Sequence, residues 1–380
     1  MNKQSRLQAI DLLRGLVIVL MALDHTRDFF APTAFDPLNL QLGYPALFWT
    51  RWITHLCAPI FVMLAGMSAF LRSQHRDKKD MSRYLLSRGA LMILLEWTWV
   101  SFSWQFGFTT FILQVIWAIG VAMMALAGLI WLPRWALITC AVALILPHNL
   151  LDALHGKDSG LLFMAWHQGG YYPLWGDVGI YFAYPLMPWI GLMAGAYAIG
   201  PVMLWDAGRR QHFLFTAAIV LLLSFVILRS GNFYGDPDAW SVQGKNFLYD
   251  LMSFVKVHKY PPSLLYLCIT LGIGLGALGL LERYVQRPWP TLMLFGKSPM
   301  FFYLVHIALI HALGWVYMQV RYGQQIDFRS KGVVIPDYQP SLLICYAAWI
   351  VVLVLMWGLT GWWNRSRQKT GTGMSAVSVH

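Results

Sequence analysis

Arg14 and His25 stand in the first apolar stretch of the chain with ten residues, Gly15 to Asp24, between them. Eleven helical steps are about three turns, so both side chains share one face, roughly 16 Å apart along the axis. A charged and an ionisable group on one stripe of an apolar helix are costly and mark a site. A cation at one end could hold a phosphate while an imidazole at the other takes a proton. The pair therefore suits an elongated ligand that touches both. Asp24-His25-Thr26-Arg27-Asp28 places carboxylates beside the imidazole, where they can orient the ring and raise its basicity. Asp24 is the expected partner of the base and Asp28 a substrate contact. The competing account is a helix-end cluster in which Arg27 pairs with Asp24 or Asp28 in water.

A second cluster, Phe48-Trp49-Thr50-Arg51-Trp52-Ile53-Thr54-His55-Leu56-Cys57-Ala58-Pro59, leads into the next apolar run. Arg51 and His55 are four apart and share a helical face. If the first two spans form a hairpin, His55 approaches Asp24 and His25 as a second candidate base, and Arg51 joins the substrate contacts. The alternative is an interfacial belt with Arg51 snorkelling to phosphates. Glu96 must face the bundle and find a partner, because an unpaired carboxylate in lipid is expensive. His306 and His311 are five apart and do not share a face; His306 is the deeper and is taken as a substrate contact. Lys297 near the cytoplasmic end either meets a phosphate or snorkels, and Lys256-Val257-His258-Lys259 could bind an anion. No metal site is assigned: His25 with Asp24 or Asp28 lacks a second histidine four residues away. Cys57, Cys140, Cys268 and Cys345 each lie in or beside an apolar run and read as buried structural cysteines. Cys57, next to His55, leaves a covalent relay as a minor alternative. There is no Walker loop, dinucleotide fingerprint, HExxH or GxSxG, so nucleotide hydrolysis, hydride transfer and metalloproteolysis have no support.

The elements that must carry these residues are membrane helices. Of 380 residues, 58% are hydrophobic and only 12% charged, with mean hydropathy +0.54. Those values leave an all-α, polytopic membrane bundle and exclude an ordinary soluble domain. The net charge of +11 reflects Lys and Arg placed between apolar spans, where they set orientation and meet anionic lipid; nucleic acid is not an expected partner. About ten spans are expected, near 10–30, 53–71, 84–104, 110–132, 134–151, 180–200, 212–229, 262–281, 296–320 and 341–363. Lys3 and Arg6 precede the first run, but no small-residue cleavage site follows, so it is expected to be a retained span. Basic residues are denser in the segments around Lys3–Arg6, Arg72–Arg88, Arg209–Arg210, Arg283–Arg287 and Arg365–Lys369, which places both termini in the cytoplasm. The longer loops, about 31–52, 152–179, 230–261 and 321–340, then face outward. Their aromatics beside Asp and Asn suit carbohydrate, or else anchor the interface. Residues 1–365 are expected to form one membrane domain and 366–380 a short disordered cytoplasmic tail.

Ile10-Asp11-Leu12-Leu13-Arg14-Gly15 and Asp24-His25-Thr26-Arg27-Asp28-Phe29-Phe30, with Thr54-His55-Leu56-Cys57-Ala58-Pro59, resemble bacterial membrane proteins of the DUF1624 group. That group is related to the catalytic domain of heparan-α-glucosaminide N-acetyltransferase. Tyr184-Pro185-Leu186-Met187-Pro188-Trp189-Ile190-Gly191, Lys259-Tyr260-Pro261-Pro262-Ser263-Leu264 and Gly296-Lys297-Ser298-Pro299 extend the resemblance along the chain. The Arg-x10-His pattern is also similar to that of the membrane acyltransferase-3 families. The resemblance implies a cytoplasmic acyl-CoA, commonly acetyl-CoA, as co-substrate and a glycan hydroxyl or amine at the outer face as acceptor. It implies His25 as base and Arg14 as a coenzyme contact; Lys297, from its own position near the cytoplasmic end, is taken as a second coenzyme contact. The animal lysosomal enzyme carries its key histidine in the loop after the first span; residues 31–52 contain none here, so the role falls to His25 or His55.

The expected protein is thus an integral-membrane, acyl-CoA-dependent acyltransferase of a bacterial inner membrane. Its partners are acyl-CoA, an extracytoplasmic sugar or glycan and the bilayer, with a homodimer left open and no bound cofactor. The rival from another class is a transporter or flippase with Arg14, Glu96 and His306 along a polar path.

Overall fold

The computed structural model describes residues 3–285, 287–324 and 338–369. Eight helices among them are long and apolar enough to cross a membrane. They are α2 (Pro45–Ser73), α3 (Lys78–Gln105), α5 (Arg134–Leu154), α6 (Leu186–Leu204), α7 (Ala207–Ser230), α9 (Leu264–Tyr284), α11 (Pro299–Tyr322) and α12 (Leu342–Lys369). Two more complete the expected set: α1 (Lys3–Phe30), rich in charged residues, and α4 (Val115–Leu129), which is shorter. Two short helices, α8 (Phe247–Val255) and α10 (Pro290–Lys297), lie in connections. The protein is an all-α integral membrane protein.

Local chemistry sets the helix starts. Asp77, Asp206, Asn246 and Ser263 each accept a hydrogen bond from a first-turn backbone N–H. Pro45, Pro290 and Pro299 begin their helices, where the missing N–H costs nothing. Burial sorts the helices into two rings. The apolar windows of α2, α6 and α9 are 72% buried, against 17% for α5 and 22% for α7. The outer helices show Leu, Ile and Val outward, as Ile219, Val220, Leu223 and Ile227 do on α7. That is the surface lipid requires.

α1 stands at the centre, packed on α2, α9, α10, α11 and α12. Its contact with α10 is a backbone-to-backbone approach. A Cβ on Gly15 would stand 2.1 Å from the Leu292 carbonyl oxygen, and one on Gly296 would stand 1.9 Å from that of Asp11. Only glycine allows this spacing.

Two expected spans start later than their apolar runs suggest. Thr110–Leu113 forms strand β1, and Val178–Phe182 forms β3, paired with β2 (Gly170–Trp175). The order is β1-β3-β2, with β1 parallel and β2 antiparallel to β3; Phe111 faces Ile180 and Tyr172 faces Ile180 from the other side. Short apolar runs rich in β-branched and aromatic residues fit strand as well as helix, and Pro185 bars helix until Leu186. The small sheet buries Leu113, Ile180 and Phe182 with Met164. The loop expected at 31–52 is shorter, because α2 begins at Pro45, and the one at 230–261 contains α8. In the 321–340 loop, residues 325–337 lie outside the described residues, as do 370–380 of the expected tail, whose earlier part continues α12 to Lys369.

Candidate active site

The last two turns of α1 bring Asp24, His25, Arg27 and Asp28 to one end of the bundle. There α2 supplies Arg51, whose Nη1 donates to both Asp24 oxygens at 2.6 and 2.7 Å. The first two spans therefore do meet at these ends. Thr54 supports the contact: its hydroxyl donates to the Arg51 carbonyl at 2.7 Å. Arg27 Nη2 reaches Asp24 at 3.2 Å and Asp28 at 2.5 Å. A third cation arrives from the 256–263 loop, with Lys259 Nζ 3.8 Å from Asp24 Oδ2. Three cations thus surround two carboxylates, and the cluster carries an excess of positive charge.

The loop holding Lys259 is tied down by its own backbone. Arg229 donates to the carbonyls of Ser253, Phe254, Lys256 and Asp238, at 2.6 to 3.1 Å. Asp236 Oδ2 accepts from the His258 backbone N–H at 2.8 Å and from the Ser263 hydroxyl at 2.7 Å. Burial pushes the Asp236 carboxyl up, against the pull of these donors. The Tyr260 ring stands 5.4 Å from that of Tyr184 and 5.1 Å from Lys259 Nζ. Burial would raise the Tyr260 phenol, but Lys259 and Arg51 outweigh it and the pKa falls.

His25 sits beside this cluster, with its ring 5.2 Å from that of His306 on α11 and 5.0 Å from Trp104 on α3. His306 is wholly buried. Its Nδ1 lies 2.9 and 2.7 Å from the carbonyls of Phe302 and Tyr303 in the preceding turn. Carbonyls only accept, so Nδ1 carries the proton and Nε2 presents a lone pair. That Nε2, His25 Nδ1, Tyr303 Oη and Trp104 Nε1 are buried without hydrogen-bond partners. Each such atom costs about 1–3 kcal/mol when left unsatisfied. A group of them around two facing imidazoles is suited to a polar ligand.

His55 lies one turn beyond Arg51, buried, with both ring nitrogens unpartnered and its ring 5.5 Å from that of Tyr266. Tyr266 donates its hydroxyl to the His55 carbonyl at 2.9 Å. Glu96, at a π-turn in α3, has a helix terminus for partner: its Oε2 accepts from the Trp117 N–H at 3.0 Å at the start of α4. Cys57 donates its thiol to the Val17 carbonyl, 3.5 Å away.

Arg14 and Lys297 are not part of this assembly. Arg14 is buried at the other end of α1, where Nη1 donates to Asp11 Oδ1 at 2.9 Å and to the Gly296 carbonyl at 3.0 Å, and Nη2 donates to Ser68 Oγ at 3.2 Å. Along the shared stripe, Ile18, Met21 and Ala22 are 0%, 4% and 0% exposed. The strip between Arg14 and His25 is packed side chain, and an elongated ligand does not lie on it in this conformation. Lys297 is exposed at the end of α10.

Sequence reasoning brought Asp24, His25, Asp28, Arg51 and His306 to one end and did not include Lys259, Tyr260, Tyr303 or Trp104. The run Lys259-Tyr260-Pro261-Pro262 was the available signal for the first two. Residues 6–234 match the protein family described as heparan-alpha-glucosaminide N-acetyltransferase, catalytic. No curated protein sequence matches the chain. The matched stretch contains Asp24, His25, Arg51, His55 and Trp104; Lys259 and His306 follow it. It spans more than half of the sequence, and the chain belongs to the heparan-alpha-glucosaminide N-acetyltransferase catalytic family, a family of membrane transferases.

Proposed function

We propose that the protein moves an acyl group, commonly acetyl, from cytoplasmic acyl-CoA to a hydroxyl or amine of an extracytoplasmic sugar or glycan. The observation that carries this reading is the facing pair His25 and His306. His25 Nδ1 and His306 Nε2 are buried without hydrogen-bond partners, and the cation-rich Asp24 cluster stands beside them. In the proposed reaction the acceptor loses its proton to neutral His25 as its oxygen or nitrogen attacks the thioester carbon. The developing oxyanion and the imidazolium are both stabilised electrostatically, the first by the field of Arg51 and Lys259, the second by Asp24. Collapse breaks the carbon–sulfur bond, and the departing thiolate takes the proton from His25 to leave free CoA. A second donor of the acceptor, the other N–H of an amine or a neighbouring hydroxyl of the sugar, hydrogen-bonds to the His306 lone pair and holds the acceptor for attack. Direct transfer needs no enzyme nucleophile, in keeping with a Cys57 thiol already committed to a backbone carbonyl.

Both termini lie in the cytoplasm in this proposal, so the Arg14 end faces the coenzyme pool. There Lys297 and Arg365 offer free cations to the coenzyme phosphates. Arg365 borders a cavity of about 380 Å³ between α10 and α12, also lined by Leu294, Trp357 and Asn364. Arg14 acts as the clamp that fixes α1 on α10 and α2. The acyl chain approaches His25 past Trp104 and Tyr303, the face with unpartnered polar atoms.

The test is thermal unfolding of purified protein in detergent with acetyl-CoA, CoA or neither, followed by a radiolabelled acetyl-transfer assay over a panel of amino sugars and glycans. Stabilisation by the coenzyme and label transfer to an acceptor are expected. Substrate movement across vesicles with no stabilisation by any acyl-CoA would favour the transporter instead.

A further inference from the structure

On the same side of the bundle as His25, but in a different layer, the end of α5 meets the loop that leads to the sheet. Asp152 and His155 are three apart at that end, and His167 comes back to them from a π-turn over Met164–Gln168. His155 Nε2 stands 2.9 Å from His167 Nδ1 and 3.8 Å from Asp152 Oδ1. One ligand atom from each of the three residues falls within 4.8 Å of the others. Tetrahedral zinc, with bonds of about 2.0–2.1 Å to nitrogen, spaces its ligands by roughly 3.3 Å, between those two separations.

Two further observations point to a ligand. His167 is wholly buried, and its Nε2 and Asp152 Oδ1 have no hydrogen-bond partners. The frame around the three is held by Gln168 and Asn149. Gln168 closes the loop by accepting from the Gly156 N–H at 3.1 Å and donating to the Gly156 carbonyl at 2.9 Å. Asn149 donates to the other Asp152 oxygen at 2.8 Å, leaving Oδ1 free, and accepts from the Leu264 N–H at 2.9 Å. Metal sites depend on such outer partners to orient their ligands.

We infer that Asp152, His155 and His167 form a site for a divalent transition metal of the zinc class, bracing the outer loop layer against the start of α9. Two imidazoles and one carboxylate leave a fourth position for water. His155 coordinates through Nε2 and His167 through Nδ1, so the hydrogen bond they share is given up while each ring stays neutral with its proton on its other nitrogen; the His167 Nε2–H then lies 3.8 Å from Asp152 Oδ1. Spacing alone gave no sign of the site, because His167 reaches it through a loop. The inference does not depend on acyl transfer.

The experiment uses the full-length protein in detergent, stripped with chelator and titrated with Zn²⁺ alone. Metal analysis after gel filtration should find about one zinc per chain, with an upward shift in melting temperature. H167A and D152N should retain no zinc and show no shift. N149A keeps all three ligands and should bind about 10–100-fold more weakly. A stripped wild type that regains neither zinc nor thermal stability overturns the site. So does an H155Q/H167A double variant that folds and binds zinc as tightly as wild type.

Discussion

The two ends of α1 carry the same kinds of residue and use them in opposite ways. At one end Arg14 is matched to Asp11 and fills its remaining reach with the Gly296 carbonyl and Ser68. At the other, Asp24 is shared among Arg51, Arg27 and Lys259, while the imidazoles next to it keep buried nitrogens with no partner. A closed, balanced ion pair fixes geometry. An over-subscribed carboxylate beside unsatisfied imidazoles leaves bonding capacity for something that arrives. The Arg210–Glu282 pair between α7 and α9 belongs to the first kind: Arg210 Nε donates to both Glu282 oxygens at 3.0 and 2.9 Å, Nη2 also reaches Oε1, and Nη1 donates to the Trp205 carbonyl. The Arg-x10-His spacing thus joins a closed structural half to the half proposed to carry the chemistry.

The largest effect expected from breaking this contrast is at the closed end. Arg14→Ala removes the buried guanidinium's bonds to Asp11, the Gly296 carbonyl and Ser68 and, at about 1.5–3 kcal/mol for a hydrogen bond to a charged group, should cost about 3–5 kcal/mol of stability. Thermal unfolding in detergent checks it, and transfer activity per folded molecule should fall far less than for a change at His25. Asp24→Asn removes the anion from three cations and should cost about 3 kcal/mol, less than a fully buried pair because Asp28 remains. It should also lower turnover, because the imidazolium loses its counter-charge. His306→Phe keeps the packing but removes the lone pair, and should reduce kcat about tenfold or more with little change in melting temperature. Steady-state kinetics on the same preparation separates the two. The smallest effect concerns the loop behind Lys259. His258 is raised, first by the Asp238 carboxylate 3.7 Å from its Nδ1, with burial opposing. A histidine raised on folding stabilises fully below its ordinary pKa and loses that contribution as pH climbs through the raised value. The melting temperature should therefore drift down as pH rises above the ordinary histidine value of about 6.5, by little because the pair is exposed, and His258→Gln should flatten the drift.

Much of this architecture could be read from the chain. Sustained apolar runs locate the helices, because a helix in lipid needs that length whatever its neighbours. The approach of Arg51 to Asp24 follows from a hairpin of the first two spans. The strands at Thr110–Leu113 and Val178–Phe182 were not legible, since a run that short has no period of its own. Arg14's closure was hidden for a different reason: its partner carbonyl, Gly296, lies 282 residues away, and only the Gly15–Gly296 approach brings it near. The same holds for Lys259, whose position is set by Arg229 and Asp236 rather than by its own neighbours. The tautomer of His306 depends on carbonyls of its own helix, which can be anticipated only once the ring's rotamer is known.

One comparison reaches the central claim directly: the rate of CoA release from acetyl-CoA, in the presence of acceptor, by His25→Ala and by wild type at matched thermal stability. A chemical His25 end predicts a fall of about 10²–10⁴-fold with the melting temperature nearly unchanged. A His25→Ala protein that folds and releases CoA at the wild-type rate would contradict it.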